Sequence, residues 1–301
     1  MLGDVQRSRV ELAGSGIEIA LIDWGGQGPL ALLHHANGFC AGMWAEVAEG
    51  LRPRYRVFAM DARGHGDSSK PEGRESYGWE HFGRDAGDVA ATLAREHGGG
   101  RVALALGHSF GGTALLVAAA RRPGLFERLV LVDPILRPAS VPDGLTSPPA
   151  RGGELAEGAR KRRQVWPDRS AARERWSKKT MFERWRPRAL DLYLAEGLRD
   201  RPDGQVELKC PGETEATIFE QGVSSESWNL APRVAARTLI LWAARGDFPR
   251  EHFASLAARM PDARVVDVES GHFVPMECPE RIIEAILSEG ESEGEGQGST
   301  G

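Results

Sequence analysis

An apolar run from Val102 to Leu106 stops at Gly107, and His108, Ser109, Phe110, Gly111 and Gly112 follow it before an Ala- and Leu-rich stretch from Thr113 to Arg122. The pattern predicts a strand, a sharp turn and a helix, with a serine at the apex. Gly107 and Gly111 stand two residues either side of Ser109. On so tight a turn those positions lie too close to neighbouring backbone to hold a side chain. The turn lifts the hydroxyl clear of the sheet. It also leaves the Phe110 amide at a helix start, where it can bind a developing oxyanion. With 37 glycines in the chain such spacing can arise by accident, and a plain Gly-Ser turn fits it too. The remaining residues have to decide.

The 301 residues, 41% of them hydrophobic, suffice for one large α/β domain or two small ones with a substantial core. A net charge of −5 gives no case for a nucleic-acid binder. Cys40, Cys210 and Cys278 lie far apart, form no C-x-x-C pair and are odd in number, so a metal site or a disulfide framework is not expected. The first ten residues are polar and lack a signal-peptide core, and no uncharged apolar run is long enough to cross a bilayer. These features lead to the expectation of a cytoplasmic protein.

Strands are expected at residues 9–12 and 17–23, about a Gly-Ser-Gly turn, and at 30–33, 55–60, 102–106 and 129–132. Helices are expected at 43–51, 79–97 and after Ser109. The alternation argues for a mostly parallel sheet covered on both faces, with function at the carboxyl ends of its strands. His35, Asp61, Ser109 and Asp133 all sit at such ends. The pattern breaks near Leu136. A Pro-, Ser- and Gly-rich linker at 137–153 leads into helical stretches at about 154–166, 170–179 and 188–197, with no comparable strand before Pro232. Strands resume at 238–243 and 264–268, with helices at 251–260 and 279–287. The division expected is a core of residues 1–135 and 233–288, an inserted helical cap of 136–232, and a disordered Gly/Glu/Ser tail of 289–301.

A serine hydroxyl is a poor nucleophile unless a base takes its proton and a third group orients the base. Ser109, Asp247 and His272 each follow a predicted strand, and occur in the order serine, acid, histidine. With His35-Ala36-Asn37-Gly38-Phe39, Asp61 to Ser68, Gly107 to Gly111, Gly246-Asp247 and Gly271-His272-Phe273, the chain resembles the α/β-hydrolase fold superfamily from about Val10 to Leu287. The resemblance implies an eight-stranded, mostly parallel sheet flanked by helices, with Ser109 as nucleophile and His272 as general base and then acid. For the triad acid Asp247 is preferred, although its glycine sits directly beside it rather than further upstream. Asp133, after the strand preceding the cap, is the alternative acid. The oxyanion hole is expected from the Phe110 amide and the Asn37 amide, with Gly38 as fallback. His34 and the segment Asp61 to Ser68 are read as structural.

The expectation is a serine hydrolase acting through an acyl-enzyme, without metal or cofactor, on a small to medium carboxylic ester. Carbon–carbon bond hydrolysis, thioester hydrolysis, aminopeptidase activity and a non-catalytic ligand-binding role remain open on the same residues. The serine argues against epoxide hydrolases and haloalkane dehalogenases, which use aspartate there. The partner expected is a small-molecule ester-like substrate, with the protein a monomer or homodimer. Residues 151–190 hold 13 Arg and Lys against five Asp and Glu. A solvated helical face, or a partner for the acidic tail, is the simpler reading of that excess, and a positive rim for anionic substrates the other.

Overall fold

The computed structural model describes residues 2–138, 151–222 and 225–294. In chain order the strands are β1 (Gln6–Leu12), β2 (Ile17–Gly25), β3 (Leu30–His34), β4 (Arg56–Met60), β5 (Val102–His108), β6 (Phe126–Val132), β7 (Val165–Trp166), β8 (Leu198–Asp200), β9 (Val206–Leu208), β10 (Arg237–Arg245) and β11 (Ala263–Gly271). The α-helices are α1 (Ala45–Leu51), α2 (Trp79–His97), α3 (Phe110–Arg121), α4 (Gly152–Arg160), α5 (Arg169–Trp176), α6 (Pro187–Glu196), α7 (Gly212–Gln221), α8 (Ser225–Asn229), α9 (Arg250–Ala257), α10 (Val274–Glu277) and α11 (Pro279–Gly294).

Eight strands form one sheet in the order β1-β2-β4-β3-β5-β6-β10-β11. The β1–β2 and β2–β4 pairs are antiparallel, and every other pair is parallel. All residues of β3 are buried, as a strand covered on both faces requires. Its side chains alternate between two cores. Ala31 and Leu33 face one cluster with Leu104, Leu106, Val130 and Val132. Leu30 and Leu32 face the other with Val102, Ala105, Leu129 and Leu131. α1 and α11 bury Val47, Leu51, Ile282 and Ile286 on the first face, and α2 and α3 bury Val89, Leu93, Leu115 and Leu116 on the second. The sequence-based expectation of a doubly covered, mostly parallel sheet therefore holds.

The segment between β6 and β10 differs from the all-helical expectation. β7, β9 and β8 form a small antiparallel sheet. The helix expected at 154–166 stops at Arg160 because Val165 and Trp166 pair with β9. Trp166, Trp176, Phe182 and Trp185 join the same apolar cluster as α1, so the segment is anchored on the sheet rather than set apart from it. Residues 139–150 of the expected linker lie outside the described residues. The tail expected to be disordered from 289 is helical to Gly294, as a continuation of α11, and 295–301 lie outside the described residues.

Candidate active site

Ser109 ends the link from β5 to α3 with φ 55° and ψ −120°. A non-glycine residue in that region costs on the order of 1–3 kcal/mol and persists only where its surroundings enforce it. The enforcement is visible in the flanking glycines. A Cβ on Gly107 would lie 2.6 Å from the Gly111 carbonyl oxygen, and one on Gly111 would lie 2.4 Å from that of His34. The Ser109 amide donates to the Val132 carbonyl at 2.9 Å, tying the turn to β6. Phe110 is buried edge-on against Phe82 and Trp79, which fixes the first turn of α3.

The Ser109 hydroxyl donates to His272 Nε2 at 3.0 Å, and His272 Nδ1 donates to Asp133 Oδ2 at 2.6 Å. A carboxylate only accepts, so the proton sits on Nδ1 and leaves Nε2 free to receive the serine proton. Asp133 is fully buried and has φ 43°. Burial alone would lower the His272 pKa. The hydrogen bond and charge of Asp133, with weaker help from Asp247 and Glu277, outweigh it and leave the imidazole raised above its ordinary value. The neighbouring imidazoles go the other way. Burial, with His35 beside it, drops His34 to about 3, and burial drops His35 to about 4. Burial also holds His65 and His108 well below their ordinary value. His272 is thus the imidazole here suited to take and return a proton near neutral pH.

The preference for Asp247 as the residue behind His272 is not met. Asp247 is half-exposed and pairs with Arg151 at 3.1 Å, while Asp133 occupies the Nδ1 position. The physical reason is Gly246. A Cβ there would stand 2.7 Å from Asp133 Oδ2, so this glycine is the opening through which Asp133 reaches the histidine. The next residue along, Asp247, is carried outward to the cavity wall. The Gly271 amide donates to Glu277 Oε2 at 2.8 Å, and His108 Nε2 donates to the His272 carbonyl at 2.7 Å. Both hold the loop that presents His272. The sequence reading gave His108 no such role.

The loop after β3 carries the other expected donor. Gly38 N donates to His65 Nε2 at 3.0 Å, which removes the fallback donor from use. The Asn37 side chain donates to the Glu215 carbonyl at 3.1 Å, and Asn37 and Phe110 both line the cavity beside Ser109. The inserted segment grips this loop. Tyr193 from α6 donates its hydroxyl hydrogen to the Gly38 carbonyl at 3.0 Å and accepts from Arg162 at 2.5 Å. Arg162 is also ion-paired with Glu215 of α7. Burial pushes the Tyr193 phenol up to about 12 against the pull of Arg162, so it stays a donor at neutral pH. Tyr193, Arg162 and Glu215 carry no local motif and were not singled out from the sequence. Asp61 accepts from the Ala41 and Asp67 amides at 2.7 and 2.8 Å and braces the loop as expected.

Ser109, His272, Asn37 and Phe110 open into a cavity of about 590 Å³ roofed by the inserted segment. Its apolar lining includes Leu155, Trp176, Met181, Phe182, Phe219 and Phe248, and its charged lining includes Arg162, Lys179, Glu215 and Asp247. Among the described residues no group of three His, Cys, Asp or Glu gathers to hold a metal ion, and no helix is long and apolar enough to cross a membrane. Cys40, Cys210 and Cys278 are free thiols.

A family model described as alpha/beta hydrolase family matches residues 31–285. The chain belongs to the alpha/beta hydrolase family. A 2-(acetamidomethylene)succinate hydrolase from Mesorhizobium japonicum is 34% identical over 108 residues, 36% of this chain and 36% of that protein. The bifunctional esterase/perhydrolase DCH of Acinetobacter calcoaceticus is 32% identical over 137 residues, 43% of this chain and 47% of that protein. The matched stretches therefore span less than half of these relatives. Among solved structures, an E-2-(acetamidomethylene)succinate hydrolase superposes with a TM-score of 0.76 at 22% identity, covering 95% of this chain and 98% of its own, a likeness of fold. A thermophilic esterase from Thermogutta terrifontis, solved with malate bound, superposes with a TM-score of 0.69 at 25% identity, covering 95% of this chain and 98% of its own.

Proposed function

We propose that this hydrolase-family chain is a serine hydrolase that cleaves carboxylic esters through an acyl-enzyme on Ser109. The observation that carries the reading is the unbroken chain from Ser109 Oγ through His272 to buried Asp133, at 3.0 and 2.6 Å. The described residues of 1–135 and 233–288 serve as the core, and the described residues of 136–232 serve as a cap over the cavity. In the first step Ser109 Oγ attacks the ester carbonyl carbon and passes its proton to His272 Nε2. Asp133 stabilises the resulting imidazolium. The Phe110 and Asn37 amides receive the oxyanion, and removing one such donor typically costs roughly 10²–10³ in kcat. Collapse expels the alcohol, which takes the proton from His272. Water then attacks the acyl-enzyme, gives its proton to His272 and releases the acid, restoring Ser109.

The apolar cavity lining supports a short to medium acyl chain or an alcohol of similar size. Part of the same lining is charged, and one named relative acts on a succinate derivative, so carboxylate-bearing esters and amides belong in the first screen. The test is hydrolysis of p-nitrophenyl esters of increasing acyl length with Ser109→Ala as control. Activity on short to medium chains that vanishes in the variant is expected. Equal rates for wild type and variant would remove Ser109 from the chemistry.

A further inference from the structure

The basic excess of residues 151–190 is mostly neutralised in place. Arg160 pairs with Glu213 and Glu220, Arg169 with Asp200, Arg173 with Asp191 and Arg188 with Glu49. Among the described residues, Lys179 and Arg175 have no carboxylate partner, and Arg163 lies over the Trp166 ring at 4.8 Å. These three cations gather on one groove of about 500 Å³ on the inserted segment, beside Lys161, Arg162 and the Lys178–Glu174 pair. The groove and the Ser109 cavity share Arg162, Trp176 and Lys179 in their walls. Lys179 therefore stands in the wall that the Ser109 cavity and the basic groove have in common.

We propose that the substrate carries an anionic substituent that docks against Lys179, with Arg163 and Arg175 behind it, while the scissile carbonyl lies at Ser109. The proposal rests on the hydrolase reading and specifies its substrate class. Around the groove Arg162 is paired with Glu215 and Lys178 with Glu174, and an anion placed there supplies Lys179 with the counter-charge that neither carboxylate gives it. The crowding of like charges is visible in Lys179 itself, whose pKa is lowered by burial first and then by the charges of Arg162 and Arg175. The cations of the groove also raise the local concentration of anions beside that shared wall. The anion has two possible sources. A carboxylate a few carbons from the carbonyl would sit at Lys179, and phosphates on a longer carrier arm would lie further out along Arg163 and Arg175.

Two substrate pairs separate these sources. Monomethyl glutarate is compared with methyl hexanoate, and butyryl-coenzyme A with the neutral butyryl thioester of N-acetylcysteamine. The readout is the ratio of kcat/KM, anionic over neutral, in wild type, Lys179→Met and Lys179→Glu. Labelling of Ser109 by a neutral fluorophosphonate checks that each variant is folded. A wild-type ratio above about ten is expected in one pair, falling about tenfold in Lys179→Met and further in Lys179→Glu, the size of one charge-assisted contact. A response in the glutarate pair assigns the carboxylate, and one in the thioester pair assigns the phosphates. Ratios near one in both pairs overturn the proposal, as does a high ratio that Lys179→Glu leaves unchanged. If no substrate is turned over and Ser109 takes no label, the hydrolase reading fails and the proposal falls with it.

Discussion

Replacing Asp133 by asparagine isolates the buried charge behind His272 with almost no change of shape. Asp133 Oδ1 faces the Ala243 amide at 3.4 Å, and that amide can only donate. An asparagine would turn its oxygen to Ala243 and its NH2 to His272 Nδ1. The imidazole would then carry its proton on Nε2, where it cannot accept the Ser109 proton. The imidazolium formed during attack would also lose its 2.6 Å charged partner. Loss of both is expected to cost about 4–5.5 kcal/mol of transition-state stabilisation, or roughly 10³–10⁴ in kcat. The pH profile supplies a second readout. His272 must be neutral to act as base, so kcat/KM rises with pH through its pKa, which Asp133 raises above the usual histidine value. In Asp133→Asn burial is left largely unopposed, so the midpoint of that rise moves to lower pH. Asp247→Asn is the comparison. Its carboxylate is half-exposed and occupied by Arg151, so a change within about threefold is expected, with a slight downward shift of the same midpoint. Steady-state hydrolysis of a p-nitrophenyl ester, with circular dichroism to verify folding, measures all of this. Near-normal kcat in Asp133→Asn beside a large loss in Asp247→Asn would refute the reasoning.

Three further outcomes follow from single contacts. Gly246→Ala places a methyl 2.7 Å from Asp133 Oδ2, so kcat should fall by roughly 10- to 100-fold and stability by about 1–3 kcal/mol, checked by kinetics and calorimetry together. Tyr193→Phe removes the 3.0 Å hydrogen bond to the Gly38 carbonyl, which ties down the loop carrying Asn37, and a drop in kcat of about tenfold with little change in KM is expected. Trp176→Ala empties a buried site between Phe182 and Tyr193, whose rings lie 5.8 and 5.0 Å from it, and should cost about 3–5 kcal/mol in urea unfolding.

Much of the core could be read from the chain because its signals are local. The apolar runs of β3, β5 and β6 are buried on both faces, and such strands are hard to mistake. The glycines around Ser109 mark the turn because their steric demand lies within a few residues of sequence. β1 was clear only from Arg9 because its first residues are exposed and show no alternation. β7, β8 and β9 have two or three residues each, too few for any period to appear. The choice between Asp133 and Asp247 was not local at all. Both follow strands, and what separates them is Gly246 lying against the Asp133 carboxylate, a contact between strand ends more than a hundred residues apart. The link from Arg162 through Tyr193 to Gly38 depends in the same way on how the inserted segment docks on the β3 loop.

The most direct measurement is the intact mass of the protein quenched within milliseconds of mixing with a p-nitrophenyl ester, followed by peptide mapping. An acyl adduct on Ser109 that forms as fast as p-nitrophenol is released, and is absent in Ser109→Ala, is the expected result. Multiple turnovers with no adduct at Ser109, and undiminished turnover in Ser109→Ala, would contradict nucleophilic catalysis at this residue.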